Sequence, residues 1–278
     1  VSGRKKATQP GTIRIGIGGW VFEPWRGTFY PEKLPQKQEL GFAAARLTSI
    51  EINGTFYRSQ SPDTFAKWRD ETPDGFVFAL KGPRFATNRR VLAEAGPSIE
   101  KFFSSGVMAL GEKLGPVNWQ LAPTKKFDPD DIDAFLKLLP KRLDGRPLRH
   151  AIEARHESFA VPEFVALARQ HGVAIVVAGD SEYPQIADPT ADFVYARIMG
   201  TQETEAAGYS AAALDAWAER AKAWAAGAGA PGLSTVTPQA GAALAAKATP
   251  REVFLYVISG AKQKNPVAAM DLIRRVRT

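Results

Sequence analysis

The chain of 278 residues contains no cysteine and three histidines. The first absence removes disulfides, thiolate metal ligands and a cysteine nucleophile together, and it fits a reducing compartment such as the cytoplasm. The second leaves a zinc site short of ligands. No apolar run approaches the roughly 18 residues needed to span a membrane, so no membrane partner is expected. There is no G-x-x-x-x-G-K-[ST] loop and no G-x-S-x-G elbow, and GIGGW lacks the G-x-G-x-x-G spacing. Nucleotide-loop and serine-hydrolase readings therefore have no motif to stand on. The N-terminal VSGRKKATQPG is basic without an apolar core behind it. It reads as a flexible tail over residues 1–12, not as a secretory signal.

Against these absences stands a surplus of positive charge, 36 Lys and Arg against 29 Asp and Glu, for a formal net charge of +7. Such a surplus steers anions in, whether phosphates, acidic sugars or nucleic acid. A hydrophobic fraction of 45% permits a sizeable core.

Apolar runs of strand length alternate with amphipathic stretches of helix length along the whole chain. Strands are expected at 13–19, 49–53, 75–81, 116–121, 149–155, 174–180, 193–200 and 253–258. Helices are expected at 39–46, 62–71, 98–114, 130–139, 162–171, 211–226 and 266–277. Several strands (IRIGI, AIVVA, VFLYV) are apolar on both faces, as strands covered on both sides must be. Eight such alternations predict an α/β fold, a (β/α)8 TIM-like barrel forming a single domain over 13–278. Two irregularities are expected: a short or missing helix after the sixth strand, and an Ala/Gly/Pro-rich insertion at 227–250 holding a short helix at 239–248.

Strand side chains alternate with period two, so residues two apart share a face. Glu51 with Asn53, Glu153 with Arg155, and Tyr195 with Arg197 then point together, while the third, fourth and sixth strands bring Lys81, Gln120 and Asp180. Three carboxylates, three cations and two amides thus converge on the C-terminal rim, where barrel enzymes build their sites. Glu51 and Glu153 can divide acid and base roles if their environments split their pKa values. Lys81 can act as a Schiff-base nucleophile, or join Arg155 and Arg197 in clamping a phosphate or carboxylate. No cofactor is evident; Mg²⁺ or Mn²⁺ held by Glu51, Glu153 and Asp180 is an alternative. Of the histidines, His156 adjoins a strand end, whereas His150 and His171 read as structural. KGPRFATNRR (81–90) is either a solvated loop or an anion-attracting wall, and Trp20, Phe22, Trp25, Phe29 and Tyr30 are either a plug or a stacking platform.

Several blocks resemble the YecE-like proteins, the domain of unknown function 72 family: GIGGWVFEPWRGTFYP, IEINGTFYRSQSPDTFAKW, FVFALKGPRFAT, LGPVNWQLAP, IEARHESF and VYARIMG. The resemblance covers most of the chain in order. It implies a TIM barrel and no assigned activity. Residues matching its motifs are Trp20, Glu51, Asn53, Thr55, Tyr57, Lys81, Gln120, Glu153, Arg155, His156, Asp180 and Arg197. The chain departs from the usual pattern at Asn88 and Met199, where relatives carry histidine. It departs again at VISGAKQKNP, where Asn265 is a displaced counterpart of a paired asparagine. These departures count against metal-based or histidine-based chemistry.

The reading is an enzyme performing acid–base chemistry on a small anionic or polyhydroxylated, sugar-phosphate-like substrate. Glu51, Lys81, Glu153 and Asp180 are the catalytic candidates. Trp20, Asn53, Tyr57, Gln120, Arg155, His156 and Arg197 are the substrate-binding candidates. A metal-dependent phosphodiesterase or endonuclease, by fold analogy, and a non-catalytic nucleic-acid binder are the alternatives. Nothing in the sequence fixes the oligomeric state.

Overall fold

The computed structural model describes residues 9–238 and 249–278. Eight parallel strands close into a barrel: β1 (Ile13–Gly18), β2 (Ser49–Ile52), β3 (Val77–Lys81), β4 (Leu114–Gln120), β5 (His150–Glu153), β6 (Ala174–Gly179), β7 (Phe193–Ile198) and β8 (Glu252–Val257). Each strand neighbours the next in chain order, and β8 closes on β1 with Ile15 beside Leu255. A two-stranded antiparallel ribbon, Arg142–Leu143 with Arg146–Pro147, precedes β5. Gly16 permits the tight seam between β1 and β2, because a Cβ there would fall 1.9 Å from the Ser49 carbonyl oxygen.

The helices packed outside are α1 (Glu39–Ala44), α2 (Pro62–Asp70), α3 (Gly96–Ser104), α4 (Pro129–Leu138), α5 (Pro162–His171), α6 (Ala211–Ala225) and α7 (Asn265–Arg277). Their starts follow local chemistry: Asp128 accepts from the N–H groups of Asp130 and Asp131 at 3.1 and 3.2 Å, and Ser61 and Ser210 cap α2 and α6 likewise. The single helix expected over 98–114 is instead two pieces. Gly106, at φ 105°, ends α3's run, and a 3-10 segment, Val107–Lys113, leads into β4. Among the described residues no helix is long and apolar enough to cross a membrane.

No helix stands between β6 and β7. The connection instead buries Ile186, Ala187 and Asp188, and the Asp188 carboxylate accepts from the backbone N–H of Val236 and Thr237 at 2.7 and 3.0 Å. The missing helix and the start of the insertion are thus one feature, since the segment before 239 is tied to the loop that replaces the helix. The helix expected at 239–248 lies outside the described residues. Gly11 and Thr12, within the expected tail, already hydrogen-bond to Ala225 and Val253.

The lumen is layered. At its N-terminal end Glu252 binds Arg14 at 2.6 Å and also pairs with Arg149, whose guanidinium lies 4.9 Å from the Phe254 ring centre. Above them Tyr195, Tyr256 and Val176 fill the section, with the Tyr256 and Ser49 hydroxyls 2.7 Å apart. Outward-facing strand residues pack against the helices together with Trp25, Trp119, Trp217 and Trp224.

In that outer layer His150 accepts from Trp119 Nε1 at 3.1 Å, and its Nε2 meets the Pro140 carbonyl oxygen at 2.8 Å. Both bonds suit a neutral ring protonated on Nε2. Burial, opposed by the Pro140 bond, pushes its pKa down to about 4. The unfolded chain takes up this proton below its ordinary value near 6.5, whereas the folded chain refuses it until about 4. Stability therefore falls as pH drops through that window, by about 3 kcal/mol between pH 7 and 4. Urea unfolding at the two pH values should show this loss, reduced by that amount in H150Q; an equal loss in H150Q would contradict the assignment.

Candidate functional site

The upper lumen gathers charged side chains from four strands and amides from a fifth. Arg197, from β7, bridges two carboxylates: Nη2 donates to Glu51 Oε1 of β2 at 2.9 Å, and Nη1 to Glu153 Oε2 of β5 at 2.6 Å. Glu51 Oε2 accepts from the Tyr195 hydroxyl at 2.6 Å, and Glu153 Oε2 also accepts from Asn118 Nδ2 at 3.1 Å. Arg155, just past β5, donates through Nε to Glu153 Oε1 at 2.8 Å. Glu51, Glu153, Lys81 and Arg197 are all buried.

One atom collects the cations. Gln120 Oε1 accepts from Lys81 Nζ at 2.8 Å, Arg155 Nη2 at 2.9 Å and Arg197 Nη1 at 3.2 Å. Three cations against two carboxylates leave the cluster one positive charge in excess. Phe56 and Tyr183 cover it: Lys81 Nζ lies 4.1 Å from the Phe56 ring centre, and the Arg155 guanidinium 4.3 Å from that of Tyr183.

These surroundings separate the titrating groups. Burial alone would raise the Glu153 carboxyl, but Arg197, Arg155, the Asn118 bond and Lys81 outweigh it and hold it down to about 2. Burial and the charge of Arg197 push Lys81 down to about 8, against the pull of Glu51 and Glu153. Burial opposes the charge on Arg197, yet Glu153 and Glu51 keep it protonated. Burial and the Glu51 charge drive the Tyr195 hydroxyl far up. Glu153 is therefore a fixed counter-ion, and Lys81 is the group poised to exchange a proton near neutral pH.

Of the residues the sequence singles out, Glu51, Lys81, Gln120, Glu153, Arg155 and Arg197 come together. The others do not join this network. Asp180 sits at φ 51°, off the strand's alternation, and its carboxylate accepts from Trp217 Nε1 at 2.8 Å. Trp20 packs edge-on against Trp68 at 5.1 Å, between barrel and helix. His156 Nδ1 caps the turn Glu157–Phe159 by accepting from Ser158 N. Asn53 lies beside Gly18, at whose position a Cβ would meet its Nδ2 at 2.8 Å. Tyr57 is 60% exposed, while its neighbour Phe56 turns inward. Asn265 is buried as a structural residue, bonded to Thr201 Oγ1 at 2.8 Å and to the Ser259 carbonyl.

The oxygen-rich cation site considered from Glu51, Glu153 and Asp180 does not assemble, since two of these are held by Arg197 and the third faces Trp217. Among the described residues no group of three or more His, Asp or Glu is placed to hold a metal ion. Sequence reasoning passed over Asn118, Phe56 and Tyr183. Asn118 is two residues before Gln120 and shares its face, so the alternation rule reaches it; no periodic signal marks Tyr183, which comes from a loop.

The model of the family described as "Protein of unknown function DUF72" matches residues 14–278. The chain belongs to this family. Among curated relatives, the UPF0759 protein YunF of Bacillus subtilis is 26% identical over 157 residues, 55% of this chain and 54% of that protein. The UPF0759 protein YecE of Escherichia coli is 27% identical over 119 residues, 42% and 41% of the two. The chain thus spans about half, or less, of the curated relatives it matches. A DUF72 family protein of Thermotoga maritima superposes with a TM-score of 0.71 at 22% identity, covering 96% of this chain and 100% of that one. One from Enterococcus faecalis gives 0.64 at 14%, covering 98% and 100%. At such identities these DUF72 structures speak for the barrel and not for an activity.

Within this DUF72 barrel Arg197 bridges two buried carboxylates, so truncating it leaves Glu51 without a salt-bridge partner and Glu153 with Arg155 alone. R197M is expected to lose about 3–5 kcal/mol in chemical denaturation. R197K, keeping the charge without the planar fork, should fall between R197M and wild type. A loss in R197M below about 1 kcal/mol would contradict the bridging role.

Proposed function

We propose that the protein is an enzyme binding a small anionic, polyhydroxylated molecule such as a phosphorylated sugar in the upper lumen. The ligand's negative oxygen takes the place of Gln120 Oε1, and Lys81 moves a proton on it. The observation that carries this reading is the convergence of three cationic donors on that one neutral oxygen. An amide oxygen has two lone pairs and no net charge, so three charged donors over-subscribe it. A phosphate or carboxylate oxygen would turn the same bonds into charge-assisted pairs and take up the excess positive charge.

Two further features support it. Asn118 Oδ1 and Arg197 Nε are buried without a protein partner among the described residues. One accepts and the other donates, the pairing a sugar hydroxyl satisfies. Lys81, with a pKa near 8, populates both its acid and its base form close to neutral pH. Glu51 and Glu153, both paired with Arg197, keep the guanidinium in place.

Titration calorimetry with inorganic phosphate and ribose 5-phosphate tests this. R155M and K81M should each weaken binding at pH 7 by about tenfold or more, the worth of one charged hydrogen bond. Wild-type affinity should hold up to pH 8 and then fall as Lys81 loses its proton, by up to about tenfold per pH unit. K81R should remove that fall. If neither anion binds, or R155M binds as well as wild type, the reading is wrong.

A further inference from the structure

We infer that a second surface on the same rim, built by the loops after β2, β3 and β4, binds single-stranded nucleic acid. Tyr57 is 60% and Phe85 62% exposed, among the few large apolar side chains the described residues leave in solvent. They come from consecutive loops, and the Arg84 guanidinium lies 5.8 Å from the Tyr57 ring centre and 5.5 Å from that of Phe85. Two open rings with a guanidinium between them form a platform on which unpaired bases stack.

Beside this platform runs an open groove of about 660 Å³, joined to it through Asn88 and Arg89 and lined by Arg90, Lys125 and Lys126. Its charges are largely uncommitted. Lys125 is paired with Asp131 at 2.5 Å, and Asp128 is turned to the first N–H groups of α4. Arg89 donates to the Phe85 carbonyl and the Ser98 hydroxyl, both neutral. Arg84, Arg89, Arg90 and Lys126 thus carry four positive charges with no carboxylate partner among the described residues. Phosphates spaced along a strand fit these cations, and the bases fit the rings. A duplex fits poorly, because its bases are hidden and this rim offers loops and one-turn helices, with no long helix or ribbon to enter a groove.

The test is fluorescence anisotropy of a labelled dT12 strand, against a 12-base-pair duplex, from 50 to 200 mM KCl. The strand should bind at least tenfold more tightly than the duplex, with a log–log salt slope of about −3 for four phosphate contacts. The Tyr57→Ala/Phe85→Ala double variant should lose at least tenfold in affinity with the slope unchanged, since stacking is not ionic. R90A/K126A should reduce the slope by about half. Y57A/F85A should titrate inorganic phosphate as wild type does, which separates this surface from the lumen. Equal binding of strand and duplex overturns the inference. So does unchanged strand binding by Y57A/F85A, or capture by phosphatidylserine vesicles that the strand fails to compete away.

Discussion

The upper lumen is organised by one guanidinium. Arg197 reaches from β7 across the barrel to carboxylates on β2 and β5, tying together strands that do not touch one another in the sheet. Burying so many charges is not a route to stability, because desolvation costs several kcal/mol per ion and good geometry roughly repays it. The stability to hold them comes from elsewhere: the apolar lumen residues Val176 and Ala178 on β6, Phe254 on β8 and Ile258 just past it, and the tryptophan-rich layer between barrel and helices. The apolar residues thus flank Arg197 on the two neighbouring strands while its guanidinium reaches across to the carboxylates.

The same guanidinium sets the protonation states around it. Arginine cannot give up its proton in a protein, so a crowded cationic site must relieve itself through another group. Lys81 is that group, pressed by burial and by Arg197 and less firmly held by the carboxylates. Glu153, pinned between two arginines, is also shifted down, which for a carboxyl holds it in its charged form. The proposed division of roles differs from the expected sharing of acid and base duty between the two glutamates. The carboxylates fix the charge of the arginines, and the lysine is left free to titrate.

How much of this was legible in the sequence follows from where the chain keeps strand geometry. Glu51, Lys81, Gln120, Glu153, Arg155 and Arg197 all lie on or within two residues of a strand, where period-two alternation holds, and they meet. Alternation stops at a left-handed residue. Gly19 at φ 73° precedes Trp20, and Asp180 is itself at φ 51°, so both side chains leave the phase the pattern assigns them. The one-turn helix Gly54–Tyr57 resets the phase again, which is why Phe56 covers Lys81 while Tyr57 faces water. The same physics explains the split of the helix expected over 98–114, where Gly106 adopts a conformation its apolar periodicity does not report. The strands were readable because strands covered on both sides are mostly apolar, with polar residues confined to one phase of the alternation; loop conformations carry no such signature.

The positions where this chain departs from the usual family pattern can now be placed. Asn88 lies on the exposed groove among Arg84, Arg89 and Arg90, and Met199 lies in the apolar wall of the lumen. Neither donates to or accepts from the network around Gln120. The absence of histidine at these two positions therefore does not bear on the cation cluster. That cluster holds four buried charges, the half-buried Arg155 and their amide, an arrangement whose geometry roughly repays its desolvation without adding stability. The proposed anion site rests on that cluster, whose one positive charge in excess favours a ligand of opposite sign.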